Sequence, residues 1–119
     1  MNLENCQTVG LAKTYCYDRL ITDSGAAGTA LATGHKTRYH AVGVDPEGKP
    51  LLTLTDLAAA KSKSTGVVVT CRLNDATPAA FCAHNSDRDQ AEALIADYAG
   101  CGVDFIFGGG KRYFCERKD

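Results

Sequence analysis

The stretch "LITDSGAAGTALATG" passes from apolar and β-branched residues, through Asp23 and Ser24, into a run of Gly, Ala and Thr. The first amides of a helix have no internal partner, and together with the helix dipole they favour negative charge in front of them. A serine at that point is suited to act as a nucleophile facing a phosphate, and small residues behind it let the helix pack close to a sheet. The same position has an ordinary structural use, because Asp23 or Ser24 is a preferred N-cap. The pattern is not G-x-S-x-G, which argues against the strained elbow of the α/β-hydrolases. In "RLNDATPAAF", Asp75 and Thr77 are two residues apart. In extended backbone that spacing aims a carboxylate and a hydroxyl to one side, and such oxygen donors suit a hard cation such as Mg²⁺. Thr77 before Pro78 also reads as an N-cap with proline at the first helical position. In "AHNSDRDQAEA", Ser86 and Asp89 have capping-box spacing. This puts Arg88 in a first helical turn, where a cation opposes the dipole. Bidentate phosphate binding would justify it, and a solvated pairing with Asp87 or Asp89 is the plainer alternative.

Other chemistry-bearing residues are weaker. His35 and His40 are five apart, His84 stands alone, and none makes a zinc site by spacing. Gly108-Gly109-Gly110-Lys111 is not the G-x-x-x-x-G-K-[ST] phosphate loop and reads as a tight turn. The six cysteines contain no C-x-x-C pair. Cys71 and Cys82 sit in apolar runs and read as small buried hydrophobes. Sequence alone does not choose among the possible disulfide pairings.

The elements that must position these residues alternate. A strand is expected over 17–22 and a helix over "SGAAGTALATG", stopped by Gly34. A loop follows, with turn chemistry at Asp45-Pro46-Glu47-Gly48. Leucines at 51, 54 and 57 predict an amphipathic helix. "TGVVVTCRL" reads as a strand buried on both faces. "DRDQAEALIADYAG" reads as a helix closed by Gly100, and "VDFIF" as a strand ended by the glycines. This order predicts an α/β fold with a mainly parallel sheet and ligands outside the strands' carboxyl ends. The chain has 119 residues, is 45% hydrophobic and carries a formal net charge of -1. That composition fits one globular domain. No basic excess points to nucleic acid, no apolar run is long enough to span a membrane, and "MNLENCQTVG" lacks the features of a signal peptide.

In combination, "TDSGAAGTALATGHKT", "VGVDPEGKPL", "STGVVVTCRLNDATPAAFCAHNSDRD" and "VDFIFGGGKRYF" resemble the alkaline phosphatase family, over nearly the whole chain. The resemblance implies a metal-dependent phosphomonoesterase, with residues 1–119 a single partial domain of its three-layer α/β sandwich. It implies two zinc ions and one magnesium ion. Ser24 would be the nucleophile that becomes phosphoserine and faces zinc. Arg88 would bind the substrate phosphate, Asp23 would orient Arg88, and Asp75 and Thr77 would hold magnesium. Many members carry histidine where this chain has Asp75, and a carboxylate is the harder ligand. The family further implies phosphate monoester substrates, a homodimer and a periplasmic or extracellular location. Its members also use an upstream aspartate and downstream histidines and aspartates that these residues do not include. The chain is therefore expected to be a piece of a longer enzyme, inactive when isolated. The alternative is a non-catalytic remnant without its metal-binding half. Sulfatase relatives are disfavoured by the missing C/S-x-P-x-R setting. Phosphodiesterase relatives often use threonine, so Ser24 argues against them.

Overall fold

A computed structural model describes residues 2–115 of the chain. In order come α1 (Ser24–Thr33), α2 (Leu54–Ala59), β1 (Gly66–Arg72), α3 (Ala76–Ala79), α4 (Ala91–Tyr98) and β2 (Phe105–Gly109), with short 3-10 turns at Asn2–Asn5 and Lys111–Tyr113. β1 and β2 pair in parallel, with Val67 opposite Ile106 and Arg72 opposite Gly109. The crossover between them runs through α3 and α4, so the architecture is α/β as expected.

Two apolar clusters hold the helices in place. Val42, Ala76, Ala79, Ala80, Ala83 and Leu94 form one, between the 41–44 segment, α3 and α4. Val67, Leu73, Cys82, Ile95 and Tyr98 form the other, under β1. α1 packs against α3 rather than against the sheet. A Cβ on Gly28 would lie 3.0 Å from Ala80 Cβ and 3.3 Å from Thr77 Cα, so glycine permits that approach. Buried Thr29 ties α1 to the next segment, donating to the Gly25 carbonyl at 2.9 Å and accepting from the Gly43 amide at 2.9 Å.

Several sequence expectations are corrected. Residues 17–22 form no strand. Cys16 Sγ lies in donating range of the Arg19 and Ile21 carbonyls and folds the chain back, while single bonds from Tyr17 N to Thr37 O and from Tyr39 N to Asp18 Oδ1 replace a ladder. The helix after Pro50 begins only at Leu54, because Thr53 and Asp56 close a capping box there, and Leu54 and Leu57 are exposed. β1 is covered on one face only, with Val67 buried and Val68 66% exposed. Asn85 and Asp87 each accept from the amide two residues on, at 2.9 and 3.0 Å. These consecutive Asx turns keep residues 86–90 out of the helix. Ser86 and Asp89 therefore form no capping box, α4 starts at Ala91, and Arg88 lies on a loop. Asp75, not Thr77, is the N-cap of α3. Thr77 is helical, so the strand-alternation argument for that pair does not apply. All six cysteines are free, and Cys71 is exposed whereas Cys82 is buried. The stop at Gly34 (φ 76°) and the 45–48 turn stand where the sequence places them, whereas the last strand starts at Phe105 rather than Val103 and runs on through Gly108 and Gly109, so that only Gly110 (φ 100°) lies past its end.

Candidate active site

Asp23 is the N-cap of α1, in extended conformation, and its carboxylate accepts from Gly25 N at 3.0 Å and Ala26 N at 3.1 Å. The cap and the nucleophile candidate are thus adjacent residues. Asp23 takes the free amides, and Ser24, the first residue of the helix, keeps its hydroxyl exposed. Two further donors reach Asp23: the His40 amide at 3.2 Å and Arg88 Nη1 at 3.0 Å. The same Arg88 Nη1 donates to Ser24 Oγ at 3.0 Å. The Asp23 side chain is 8% exposed and that of Arg88 25%. Burial pushes the Asp23 carboxyl up. The bonds from Ala26, Arg88, Gly25 and His40 together outweigh it, and the net displacement is downward, toward the charged form.

The long-range pairing that delivers Arg88 is backbone-made. Val42 and Asn85 exchange both bonds at 2.8 Å, and Arg88 N donates to the His40 carbonyl at 2.8 Å. His40 sits at φ 69° between these contacts, with one amide turned to Asp23 and one carbonyl turned to Arg88. Histidine is among the residues enriched in that left-handed region, and this is the only signal in the sequence that marks it. Its Nδ1 is 3.9 Å from Asp89 Oδ2. His40, Asp87 and Asp89 bring ligand atoms within 4.8 Å of one another, a cluster that residue spacing alone did not indicate. The Asp87 carboxyl is held low chiefly by the Asp89 amide.

Asp75 lines a polar hollow of about 190 Å³ with Arg88, Arg72, Asn74 and Tyr113. Its carboxylate is engaged by Arg72, through Nη2 at 2.8 Å and Nε at 3.0 Å. That hydrogen bond, reinforced by the charge of Asp75, raises the Arg72 pKa. Thr77 is exposed on α3 and lines a separate hollow beside Gly66 and Phe81. The structure thus joins Asp23, Ser24 and Arg88 directly, sets Asp75 across a hollow from Arg88, and leaves Thr77 two residues further along α3. Among the described residues no helix is long and apolar enough to cross a membrane.

The family model "Alkaline phosphatase" matches residues 1–119. Alkaline phosphatase 4 of Bacillus subtilis is 46% identical over 108 residues, covering 86% of this chain and 23% of the Bacillus protein. The repressible alkaline phosphatase of Saccharomyces cerevisiae is 41% identical over 112 residues, covering 89% of this chain and 20% of the yeast protein. Among solved structures, a histidine-to-aspartate variant of the alkaline phosphatase from the Antarctic bacterium TAB5, with Mg bound in its M3 site, superposes with a TM-score of 0.94. It is 37% identical, and the match covers 99% of this chain and 34% of that one. The chain therefore spans about a quarter or less of the curated relatives and about a third of the solved structure. A family match along the entire chain, on a backbone that follows a solved member almost throughout, establishes that the chain belongs to the alkaline phosphatase family.

Proposed function

We propose that this chain is the nucleophile-bearing part of the catalytic domain of a metal-dependent phosphomonoesterase, acting through a phosphoserine at Ser24. The observation that carries the reading is Arg88, whose single Nη1 donates to both the Asp23 carboxylate and Ser24 Oγ. Asp23 fixes the guanidinium in orientation, which would leave its other N–H groups to grip phosphate oxygens in a fork. A cation donating to Ser24 Oγ also favours negative charge on that oxygen. In the reaction Ser24 Oγ attacks phosphorus, the ester P–O bond breaks, the alcohol leaves, and water later cleaves the phosphoserine to release phosphate.

By donor type Asp75 and Thr77 carry the hard oxygens that would hold magnesium, and Ser24 an exposed oxygen that would face zinc, although here the Asp75 carboxylate is paired with Arg72 and Thr77 lines a separate hollow. Zinc and magnesium, when bound, supply positive charge that stabilises a displacement at phosphorus. The same reading makes the whole protein a periplasmic or extracellular homodimer acting on phosphate monoesters.

The test is a chimera in which residues 1–119 replace the matching part of the Bacillus subtilis relative. The expected result is hydrolysis of p-nitrophenyl phosphate and an added phosphoryl group on the tryptic peptide 20–36. Both should be lost in Ser24→Ala. A chimera that folds and hydrolyses the ester equally well with Ser24→Ala would sink the proposal. The isolated chain is expected to show no turnover with zinc and magnesium, and robust turnover would overturn that expectation.

A further inference from the structure

Cys82 and Cys101 come from separate segments, the turn after α3 and the turn after α4, and meet in one place. Both line a hollow of about 320 Å³ that also includes His84 and Asp97. Cys82 is 3% exposed and belongs to the cluster with Ile95 and Tyr98, and Cys101 packs against that cluster while remaining half-buried. The two thiols thus share one hollow and one apolar cluster. Their segments are already held in register, because His84 N donates to Asp97 Oδ2 at 2.8 Å and Tyr98 Oη donates to the Leu73 carbonyl at 2.8 Å. Cys101 Sγ donates to the Tyr98 carbonyl at 3.3 Å, which fixes its direction.

We propose that Cys82 and Cys101 are an oxidation site, closing to a disulfide when the chain meets a small-molecule disulfide such as oxidised glutathione. Cys101 reacts first, because it faces the open hollow. Its thiolate attacks one glutathione sulfur, and a glutathione thiolate leaves. Cys82 then attacks the Cys101 sulfur of the mixed disulfide, the second glutathione leaves, and the Cys82 proton goes with it. Two protein thiols are oxidised, and one glutathione disulfide is reduced to two thiols. Burial first, and then Cys101, push the Cys82 thiol up, which keeps it a neutral, inert thiol until that second step. The bond would staple the end of α3 to the end of α4, beside the His84–Asp97 contact.

The experiment is tryptic mapping of the whole chain after equilibration with oxidised glutathione, quenched by alkylation under denaturing conditions. Trypsin puts Cys82 in peptide 73–88, Cys101 in 89–111 and Cys71 in 64–72, so each pairing is distinguishable. The expected result is a linked 73–88/89–111 species about 2 Da lighter than the sum of its reduced parts. Alkylation at both cysteines should be lost, and the Tm should rise in a way that Cys101→Ser abolishes. Chain oxidised in urea is the comparison. The proposal is overturned if Cys82 and Cys101 remain alkylatable, or if their pairing matches the scrambled distribution of the urea sample.

Discussion

At Asp23 four donors converge on one carboxylate, and three of them are backbone amides. Its folded-state pKa is lowered, so the stability it contributes is present above the unfolded value of about 3.9 and is lost as pH falls through the folded value. Thermal melts from neutral to strongly acid pH should show wild-type Tm falling below about pH 4, and Asp23→Asn should flatten that fall from a lower starting point. Parallel curves would remove Asp23 from the acid response. Arg88 is a separate question, because the carboxylate keeps its amides when the guanidinium goes. Arg88→Ala should cost about 1–2 kcal/mol in urea unfolding, the scale of one charged hydrogen bond to a partly buried group. In the chimera, Arg88→Lys keeps the charge but loses the fork, and should lower kcat/KM by roughly tenfold or more. A lysine variant at full activity would mean that charge alone suffices at this position.

The elements that bring these residues together are short, and their geometry depends on a few close approaches. Gly43 has φ 64°, and a Cβ there would fall 2.0 Å from the Ala83 carbonyl oxygen, a clash with backbone that cannot turn aside. Gly34 has φ 76°, but a Cβ there meets nothing within 4 Å. Gly34→Ala should therefore cost about 1 kcal/mol, the penalty of left-handed backbone alone. Gly43→Ala should cost about 3 kcal/mol or more and separate the 41–44 segment from the Arg88 loop. Equal costs in urea unfolding would show that the loop yields to admit a methyl group. The contrast also explains what the sequence revealed. Gly34 ends an alanine-rich run, a local stop signal, and was legible as such. The same holds for the 45–48 turn, whereas the last strand lies two residues later than "VDFIF" because Gly108 and Gly109 continue it and Gly109 still pairs with Arg72 of β1. The pairing of Val42 with Asn85 that delivers Arg88 has no local signature. Nor does the replacement of a Ser86–Asp89 capping box by two Asx turns, because Asn85 and Asp87, which accept in the turns, are interleaved with the capping-box pair. The Asp23–Ser24 seam is marked in the sequence, but its two roles are divided between the residues only by the partners of the carboxylate and of the hydroxyl.

Over the whole molecule the chain is elongated, with extents of 52 × 32 × 30 Å. Its Cα radius of gyration is 15.0 Å, whereas a compact domain of this length has roughly 13–14 Å. The exposed face of the sheet accounts for part of its surface chemistry. Val68 and Phe107 face each other across β1 and β2, each 66% exposed, and the Phe105 and Phe107 rings stack along the same face at 6.4 Å. Leu20 and Ile21 add further apolar surface at 90% and 82% exposure. A parallel pair of strands open on one face, with free edges, is a template for association. The isolated chain should therefore bind a hydrophobic dye and self-associate as its concentration rises, as sedimentation velocity would show. Val68→Lys with Phe107→Glu places an opposite-charge pair on that face, and charge is the device by which natural sheets keep their edges apart. Because both side chains are already mostly in solvent, the double substitution should change unfolding stability by only about 0.5 kcal/mol while abolishing association. Association that persists unchanged in the double variant would move the sticky surface elsewhere, to the 20–21 segment or to α2. A wild-type chain that stays monomeric without binding dye would show that the open face is tolerated by water as it stands.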